Sequence, residues 1–193
     1  MPRRSQEERR SSTRGALLAA GRELFATRGF AGVPAEQIVR TAGVTRGAMY
    51  HHFGDKTELF AAVLEQLEEE ITSDLLGSLA DVSAEELLPA AVSAFLDICE
   101  RPGVQRIALV EAPVALGWER WREIERRHGL GLVNALLEER AAAAGTVVPP
   151  NLGQVVLGAV IEAALLVAHA DDPAAARRDA EASLGALLSG LVA

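Results

Sequence analysis

The feature that most constrains this chain is a stripe of apolar residues along one long segment. Its members lie one, three or four positions apart and are Leu59, Phe60, Val63, Leu64, Leu67, Ile71, Leu75 and Leu79. This spacing makes one face of a helix apolar, whereas a half-buried strand would alternate in steps of two. At about 1.5 Å per residue the helix is about 35 Å long, which is enough to belong to two compact parts of the protein.

Similar helical periodicity is found in most of the chain, and patterns typical of strands are nearly absent. The N-terminal helices are expected to begin at Ser11, Ser12 or Thr13, then at Pro34, then at Thr45, and then at an Asp55–Glu58 capping box. Further helices are expected from a Ser83–Glu86 capping box to about residue 100, over 103–115, 118–140 and 152–170, and after Asp172–Pro173. These patterns predict an all-α protein of about nine helices.

The charge of the chain is divided unevenly between its two parts. Residues 1–60 contain ten Arg and Lys against six Asp and Glu, a balance of +4. Residues 61–193 contain nine against twenty-one, a balance of −12, so the whole chain carries −8. A basic N-terminal part suits a polyanionic partner. We therefore predict one domain over residues 1–60 and a second over residues 61–193, with the boundary inside the long helix.

Composition disfavours several other classes of protein. The single cysteine, Cys99, excludes a disulfide within the chain, and a reducing cytoplasm is the simplest location. The N-terminus has no apolar segment of the kind found in a secretory signal. The most apolar run, residues 155–170, is shorter than a membrane span and contains Glu162, so we expect a buried helix and no membrane partner.

The segment from Gly43 to Lys56 combines two adjacent histidines with two aromatic residues and the only lysine of the chain. Neighbouring side chains on a helix diverge by about 100°, so His51 and His52 cannot close on one ion, and no metal site is expected. The sequence has none of the common nucleophile, phosphate-loop or cysteine–histidine motifs of enzymes. No catalytic residue and no cofactor are therefore predicted.

A DNA-binding helix-turn-helix accounts for these residue types together. Two short helices joined by a tight turn form this motif, and the second helix enters the major groove. Arginine suits a guanine edge, small residues allow close approach, and hydroxyl, imidazole and ammonium groups suit phosphates. Met49 and Phe53 are expected to face the core, although the pattern alone also allows a capped corner with an exposed polar face. The predicted DNA contacts are Thr45, Arg46, Gly47, Ala48, Tyr50, His51, His52 and Lys56.

Residues 1–60 resemble the DNA-binding domain of the TetR family of bacterial transcriptional regulators. The resemblance rests on Ala19-Ala20, Leu24-Phe25, Gly29-Phe30, Ala42-Gly43-Val44, Gly47, Tyr50, His52-Phe53 and Asp55-Lys56, in that order. It implies DNA contacts by the residues named above, except Ala48. The second helix departs from the family pattern, because Pro34 stands where a hydroxyl-bearing residue is usual. Glu36 facing DNA would be repulsive unless it reads a cytosine amine or turns away.

The last two predicted helices are candidates for a dimer interface. The helix at 152–170 is apolar nearly all round and the last helix has its own apolar stripe, so both need burial on more than one side. The resemblance implies that they pair with their copies in a four-helix interface, and a core within one chain is the alternative. The predicted interface residues are Gly158, Ala159, Glu162, Ala163, Leu166, Leu184, Leu187, Leu188 and Leu191.

A ligand cavity is predicted in the helices between the long helix and this interface. Its candidate residues are Phe95, Cys99, Glu111, Trp118, Trp121 and His128. Walls made mainly of Leu, Val and Ala favour a small, mostly apolar effector, and tilting of the long helix would transmit its binding. We predict a homodimeric repressor that binds near-palindromic operator DNA through an N-terminal helix-turn-helix domain and is released by this effector. The alternative is an activator, or a regulator without a small-molecule effector.

Overall fold

The computed structural model describes residues 6–191, and the side chains of residues 10–189. Within this range the protein has nine helices and no strand, so the predicted all-α class is confirmed. The helices are α1 (Gln6–Arg28), α2 (Ala35–Thr41), α3 (Arg46–Phe53), α4 (Lys56–Ser78), α5 (Leu87–Cys99), α6, α7 (Trp118–Ala144), α8 (Leu152–Ala168) and α9 (Pro173–Leu191). Helix α6 consists of three continuous segments, Pro102–Val104, the π-helical Gln105–Glu111 and Ala112–Leu116.

Three of the predicted caps set the starts of their helices. The side chains of Thr45, Asp55 and Asp172 each accept a hydrogen bond from the backbone N–H three residues later, at 3.2, 2.8 and 3.0 Å. Each bond satisfies one of the amide groups that the first turn of a helix leaves without a partner. The starts of α3, α4 and α9 are therefore determined by local sequence.

Two other predicted starts are wrong. Helix α1 already includes Gln6, so Ser11 to Thr13 lie inside the helix. Helix α5 begins at Leu87 because residues 84–86 form a turn. Ser83 Oγ lies 3.5 Å from the Glu86 carboxylate and caps no backbone group, so the predicted capping box is absent.

The N-terminal helices pack around the first half of α4. Their core consists of buried apolar side chains that include Leu17, Phe25, Ile38, Met49, Phe53 and Leu59. The rings of Phe25, Phe30 and Phe60 form a cluster with centroids 5.0, 5.2 and 6.0 Å apart. Because Met49 and Phe53 face this core as predicted, the opposite side of α3 is left to solvent.

The second half of α4 enters a C-terminal core built with α5 to α9. Trp121 on α7 is the largest fully buried side chain of this core. Helices α8 and α9 pack on each other, and α8 keeps Val155 and Leu166 exposed on its outer side. None of the described helices combines the length and hydropathy that a membrane crossing requires.

Candidate nucleic-acid interface and internal cavity

The turn between α2 and α3 places α3 at the surface. Gly43 has a φ of +66°, a left-handed conformation that side-chain-bearing residues rarely adopt. The next N–H, that of Val44, donates to Val39 O at 3.0 Å and closes the end of α2. Thr45 then caps α3, so the chain turns from one helix into the other within four residues.

The outward side of α3 carries the predicted DNA contacts. Thr45, Arg46, Gly47, Tyr50 and His51 are exposed, whereas Ala48 and His52 are half-buried. A Cβ atom added at Gly47 would meet only Thr45 Oγ1, at 4.0 Å. No packing contact inside the protein therefore requires a glycine at this position, and its small size leaves the surface open to close approach.

Arg46 is held by two neighbours on this surface. Its Nη2 atom donates to Tyr50 Oη at 3.2 Å, and its Nη1 atom lies 2.8 Å from Glu36 Oε1. The Glu36 carboxylate is therefore paired with a positive charge, which reduces the repulsion that an acidic residue on α2 would exert on DNA. Both members of this ion pair are well exposed, so the pair orients the guanidinium and contributes little stability.

The two histidines differ in environment. Their ring centroids are 5.5 Å apart, and His52 is half-buried whereas His51 is exposed. Burial, followed by the charges of His51, Arg10 and Arg14, lowers the pKa of His52, so its imidazole is neutral near pH 7. A neutral imidazole still offers one N–H donor for a phosphate oxygen. Within residues 6–191, no group of three His, Cys, Asp or Glu side chains is arranged to hold a metal ion.

Lys56 makes internal contacts at the start of α4. Its Nζ atom donates to Phe30 O at 2.9 Å and to Val33 O at 3.0 Å, and it lies 4.0 Å from the centroid of the Phe30 ring. These bonds tie α4 to the loop between α1 and α2. The structure gives Lys56 a role within the protein, and its contact with a phosphate stays a prediction.

Glu111 lies against the end of α1, not in the cavity for which it was predicted. Its Oε2 atom accepts a hydrogen bond from the Phe30 N–H at 2.9 Å, and Arg106 lies 3.7 Å from its Oε1 atom. A Cβ atom at Gly29 would come within 2.1 Å of that carboxylate, and Gly29 also has a φ of +71°. Only glycine therefore allows the chain to turn here and to accept Glu111 beside it.

Helices α4 and α7 are joined by two ion pairs seven residues apart. Arg120 donates to both oxygens of Glu58, at 2.6 and 2.7 Å, and this hydrogen bonding lowers the pKa of Glu58. Arg127 Nη1 lies 2.8 Å from Glu65 Oε1. Because the order of the partners is the same on both helices, α4 and α7 run in parallel here.

An internal cavity of about 90 Å³ lies among α4 to α9. Its wall is mainly leucine, valine and isoleucine, and it includes Phe95 and Cys99 of α5, two of the residues proposed for a ligand pocket. The other four predicted residues do not line it. Trp121 is buried in the core, Trp118 is 60% exposed, His128 borders a surface groove, and Glu111 faces α1.

Sequence reasoning missed the two acidic residues of the cavity, Glu68 and Glu125. Glu68 lies on the apolar stripe of α4, four residues after Leu64 and three before Ile71. Glu125 follows the buried Trp121 by one helical turn. An acidic residue at a core-facing helical position was the signal that could have identified both.

The predicted dimer surface is partly exposed in the single chain. Glu162, Leu166 and Leu187 border an open groove of about 1000 Å³, whose lining also includes Ala159 and the buried Ala163 and Leu184. Gly158 is half-buried and does not line this groove, and a Cβ atom added there would lie 3.6 Å from Arg122 Nη2 on α7. The side chain of Leu188 is buried in the single chain and lines the internal cavity, so its place in an interface stays a prediction. Leu191 lies outside the residues whose side chains are described.

An exposed helix-turn-helix joined by one long helix to a second helical core defines the architecture of a helix-turn-helix transcriptional regulator. Residues 17–63 match the family of bacterial regulatory proteins called the tetR family. Residues 85–191 match the tetracyclin repressor-like C-terminal domain. A solved TetR-family transcriptional regulator from Pectobacterium atrosepticum is 31% identical, with 98% of both chains covered and a TM-score of 0.84. The chain therefore belongs to the TetR family of bacterial transcriptional regulators.

Two curated relatives are similar over a shorter stretch. The transcriptional regulator CymR of Pseudomonas putida is 39% identical over 100 residues, which cover 49% of each protein. The transcriptional activator FasR of Mycolicibacterium smegmatis is 35% identical over 99 residues, which cover 51% of this chain and 45% of FasR. The chain thus spans about half the length of the curated relatives that it matches. Both are named as transcriptional regulators rather than as enzymes.

Proposed function

We propose that this protein is a repressor that binds operator DNA as a homodimer and leaves it when a small effector occupies the internal cavity. The observation that carries the proposal is the two-sided character of α3. Met49 and Phe53 are buried on one side, while Arg46, Gly47 and Tyr50 are exposed on the other without serving the core. A helix of this kind, held by a capped turn, suits insertion into a major groove.

Each exposed residue of α3 has a proposed role on DNA. Arg46 would pair with a guanine edge, and Gly47 or Ala48 would lie against a thymine methyl group. Thr45, Tyr50, His51 and His52 would donate to phosphates, with Lys56 and the N-terminus of α4 close by. The guanidinium of Arg46 can reach a base only after its ion pair with Glu36 breaks. Binding would therefore favour a base whose contact with Arg46 is stronger than that ion pair. This exchange would reduce binding to unspecific DNA.

The surface formed by α8 and α9 supports the homodimer. Leu166 is 59% exposed and Leu187 is 41% exposed in the single chain, and both border the large open groove. Exposed apolar residues around a groove are typical of an interface that a second copy covers. A two-fold axis there would give two copies of α3, and their spacing by about one turn of DNA would suit a near-palindromic operator.

The internal cavity is the proposed site of the effector. A volume of about 90 Å³ is below the range of about 300–1,000 Å³ usual for bound ligands, so an effector would have to move the helices that form the wall. Helix α4 forms part of that wall and begins at the DNA-binding part of the chain. Its displacement would alter the separation of the two α3 helices and lower the affinity for DNA. The proposed division at residue 60 lies within this shared helix.

Activation of transcription is the second candidate, because one of the relatives, FasR, is named an activator. The same DNA surface serves either outcome, since activation depends on where the operator lies relative to the promoter. A reporter gene under the promoter beside the gene of this protein separates the two. Deletion of the regulator raises expression if it is a repressor and lowers expression if it is an activator.

Fluorescence anisotropy with the promoter DNA beside its own gene tests the DNA surface. We expect Arg46→Ala to weaken binding to the promoter by roughly tenfold or more. The ratio of its affinity for the promoter to its affinity for an unrelated duplex should also fall. Arg178→Ala removes the same charge from an exposed position of α9 and is the matched control. It is expected to bind like the wild type. If the two variants bind the promoter equally well, α3 does not read the operator.

A further inference from the structure

The internal cavity has two carboxyl groups and one guanidinium in a wall that is otherwise apolar. Glu68 on α4 and Glu125 on α7 line it, and Arg122 Nη1 lies 2.9 Å from Glu125 Oε2. Glu125 is only 5% exposed. If both carboxyl groups are ionised, the site has one negative charge more than it has positive charges. An unmatched charge is costly in an apolar environment.

The other ionisable groups on neighbouring elements do not match this charge. Cys99 and Glu68 line the same cavity, and a thiol brings no positive charge. His128, one turn after Glu125, lines a separate surface groove. Among the described residues, neither an ion pair nor a hydrogen bond joins Glu68 to another side chain. The nearby ion pairs are those of Arg127 with Glu65, Arg101 with Asp74, and Arg177 with Asp97, Glu100 and Glu181.

Protons can supply the missing positive charge. Burial raises the pKa of Glu68 to about 7. Burial and the neighbouring Glu68 charge raise the pKa of Glu125 to about 8, although Arg122 opposes this shift. Burial, Glu68 and Glu125 also raise the pKa of the Cys99 thiol, which therefore stays neutral. The carboxyl pair thus holds a proton near neutral pH that a bound cation could replace.

We propose that the effector is a small apolar cation, with a protonated amine against Glu68 and Glu125 and an apolar skeleton against the leucine and valine wall. This inference rests on the proposed function, because it names the chemical class of effector for the same cavity. The observation that supports this inference is the carboxyl group for which the cavity offers no positively charged partner. A neutral apolar molecule would leave that group without a partner, whereas an ammonium group matches both its charge and its hydrogen-bonding capacity.

Binding would exchange protons for the ammonium group. Both carboxyl groups release the protons that they still hold to solvent, so that the Glu68 carboxylate pairs with the amine and the Glu125 carboxylate with Arg122, and the amine keeps all of its own protons. Protons compete with the amine for these two carboxylates, so its affinity is expected to rise about a hundredfold per pH unit below about pH 7, and about tenfold per unit from there to about pH 8. Above that pH the affinity levels off. A neutral molecule with the same skeleton would show no such dependence.

Matched pairs of amines and alcohols test the inference. Benzylamine and benzyl alcohol share one skeleton and nearly one volume, and 4-phenylbutylamine and 4-phenylbutanol extend the series. Calorimetric titration of the full chain, from about pH 5.5 to 8.5 and in two buffers of different ionisation heat, gives affinities and released protons. We expect at least one amine to bind at least about tenfold more tightly than its alcohol near pH 7.5, and to release about two protons near pH 6.

Glu68→Gln removes the charge of the side chain and keeps its size. It is expected to abolish both the preference for the amine and its dependence on pH. Thr72→Val changes another polar residue of the same wall without changing charge, so it is the matched control and keeps both. Circular dichroism and the affinity for promoter DNA without ligand show that both variants are folded.

Three results would overturn the inference: equal affinity for amine and alcohol, no amine binding up to millimolar concentration, or an unchanged preference in Glu68→Gln. Promoter DNA in the same titrations separates this outcome from that of the proposed function. If an amine binds with the expected pH dependence and the DNA stays bound, the cationic ligand is supported and effector-controlled release fails. If neutral apolar compounds release the DNA and amines do not, release is supported and the cationic ligand fails.

Discussion

We expect replacement of Lys56 by methionine to destabilise the DNA-binding part of the protein and to lower its affinity for DNA. The ammonium group donates to the carbonyl oxygens of Phe30 and Val33 and lies over the Phe30 ring. Methionine keeps an unbranched apolar stem of similar length but offers no donor. Two carbonyl groups in the loop between α1 and α2 would therefore lose their partner.

The size of the effect follows from these three contacts. A hydrogen bond from a charged donor contributes about 1.5–3 kcal/mol, and a cation over an aromatic ring contributes about 0.5–1 kcal/mol. Lys56 is half-buried, so water replaces part of the loss and the total falls slightly below the sum of the lower values. The expected total is about 3 kcal/mol. For a chain of this size, that loss lowers the melting temperature by about 6–12 °C.

Thermal unfolding and amide hydrogen exchange measure this loss. Exchange should quicken in residues 29–34 and in α2 and α3, while α8 and α9 keep their protection. Lys56→Arg is the matched control, since it keeps the charge on a planar group that cannot meet both carbonyls in the same way. It should lie between methionine and the wild type. A Lys56→Met variant that melts within about 1 °C of the wild type but loses affinity for all DNA would refute the reasoning. In that case the ammonium group of Lys56 contributes to DNA binding through a phosphate and does not stabilise the fold.

Two further predictions concern the other contacts of the fold. Glu111→Gln replaces a charged acceptor of the Phe30 N–H by a neutral one, so exchange of that amide should quicken about tenfold, and an unchanged rate would contradict the contact. Leu166→Glu should convert the dimer into a monomer in sedimentation and weaken operator binding, because the side chain lies on the proposed interface. Val114→Glu changes an equally apolar residue on α6 that is 85% exposed and should leave the dimer intact. Equal sedimentation of the two variants would count against the α8–α9 interface.

Features that depend on local sequence were predictable, and Thr45 and Asp55 show why. A cap and the apolar spacing that follows it act within one or two turns, so the starts of α3 and α4 could be placed from the sequence. The start of α1 could not be placed in this way. Ser11, Ser12 and Thr13 are good N-caps, but they are also tolerated inside a helix that packing stabilises. Their residue types alone therefore do not determine where α1 begins.

The cavity was harder to predict because it depends on the direction of single side chains. In a regular α-helix, Glu111 would share a face with Ala108, which lines the cavity. The segment Gln105–Glu111 is instead π-helical and takes more residues per turn, so residues three apart no longer share a face. This change of register turns Glu111 toward α1. No pattern in the sequence shows where such a segment lies.

As a result of that change of register, the backbone of Phe30 is hydrogen-bonded to side chains from two different helices. Its N–H donates to Glu111 of α6, and its carbonyl oxygen accepts from Lys56 of α4. Both helices also form part of the cavity wall, through Ala108 and Leu109 on α6 and Glu68 on α4. We expect an effector that moves α6 against α4 to strain at least one of the two bonds of Phe30, because each bond is made by a side chain of a different helix. The loop that leads from Phe30 into the helix-turn-helix would then shift with the cavity. Coupling through the backbone of one residue needs no bending of α4 along its length, and loss of either bond should weaken the response to effector more than it weakens DNA binding without effector.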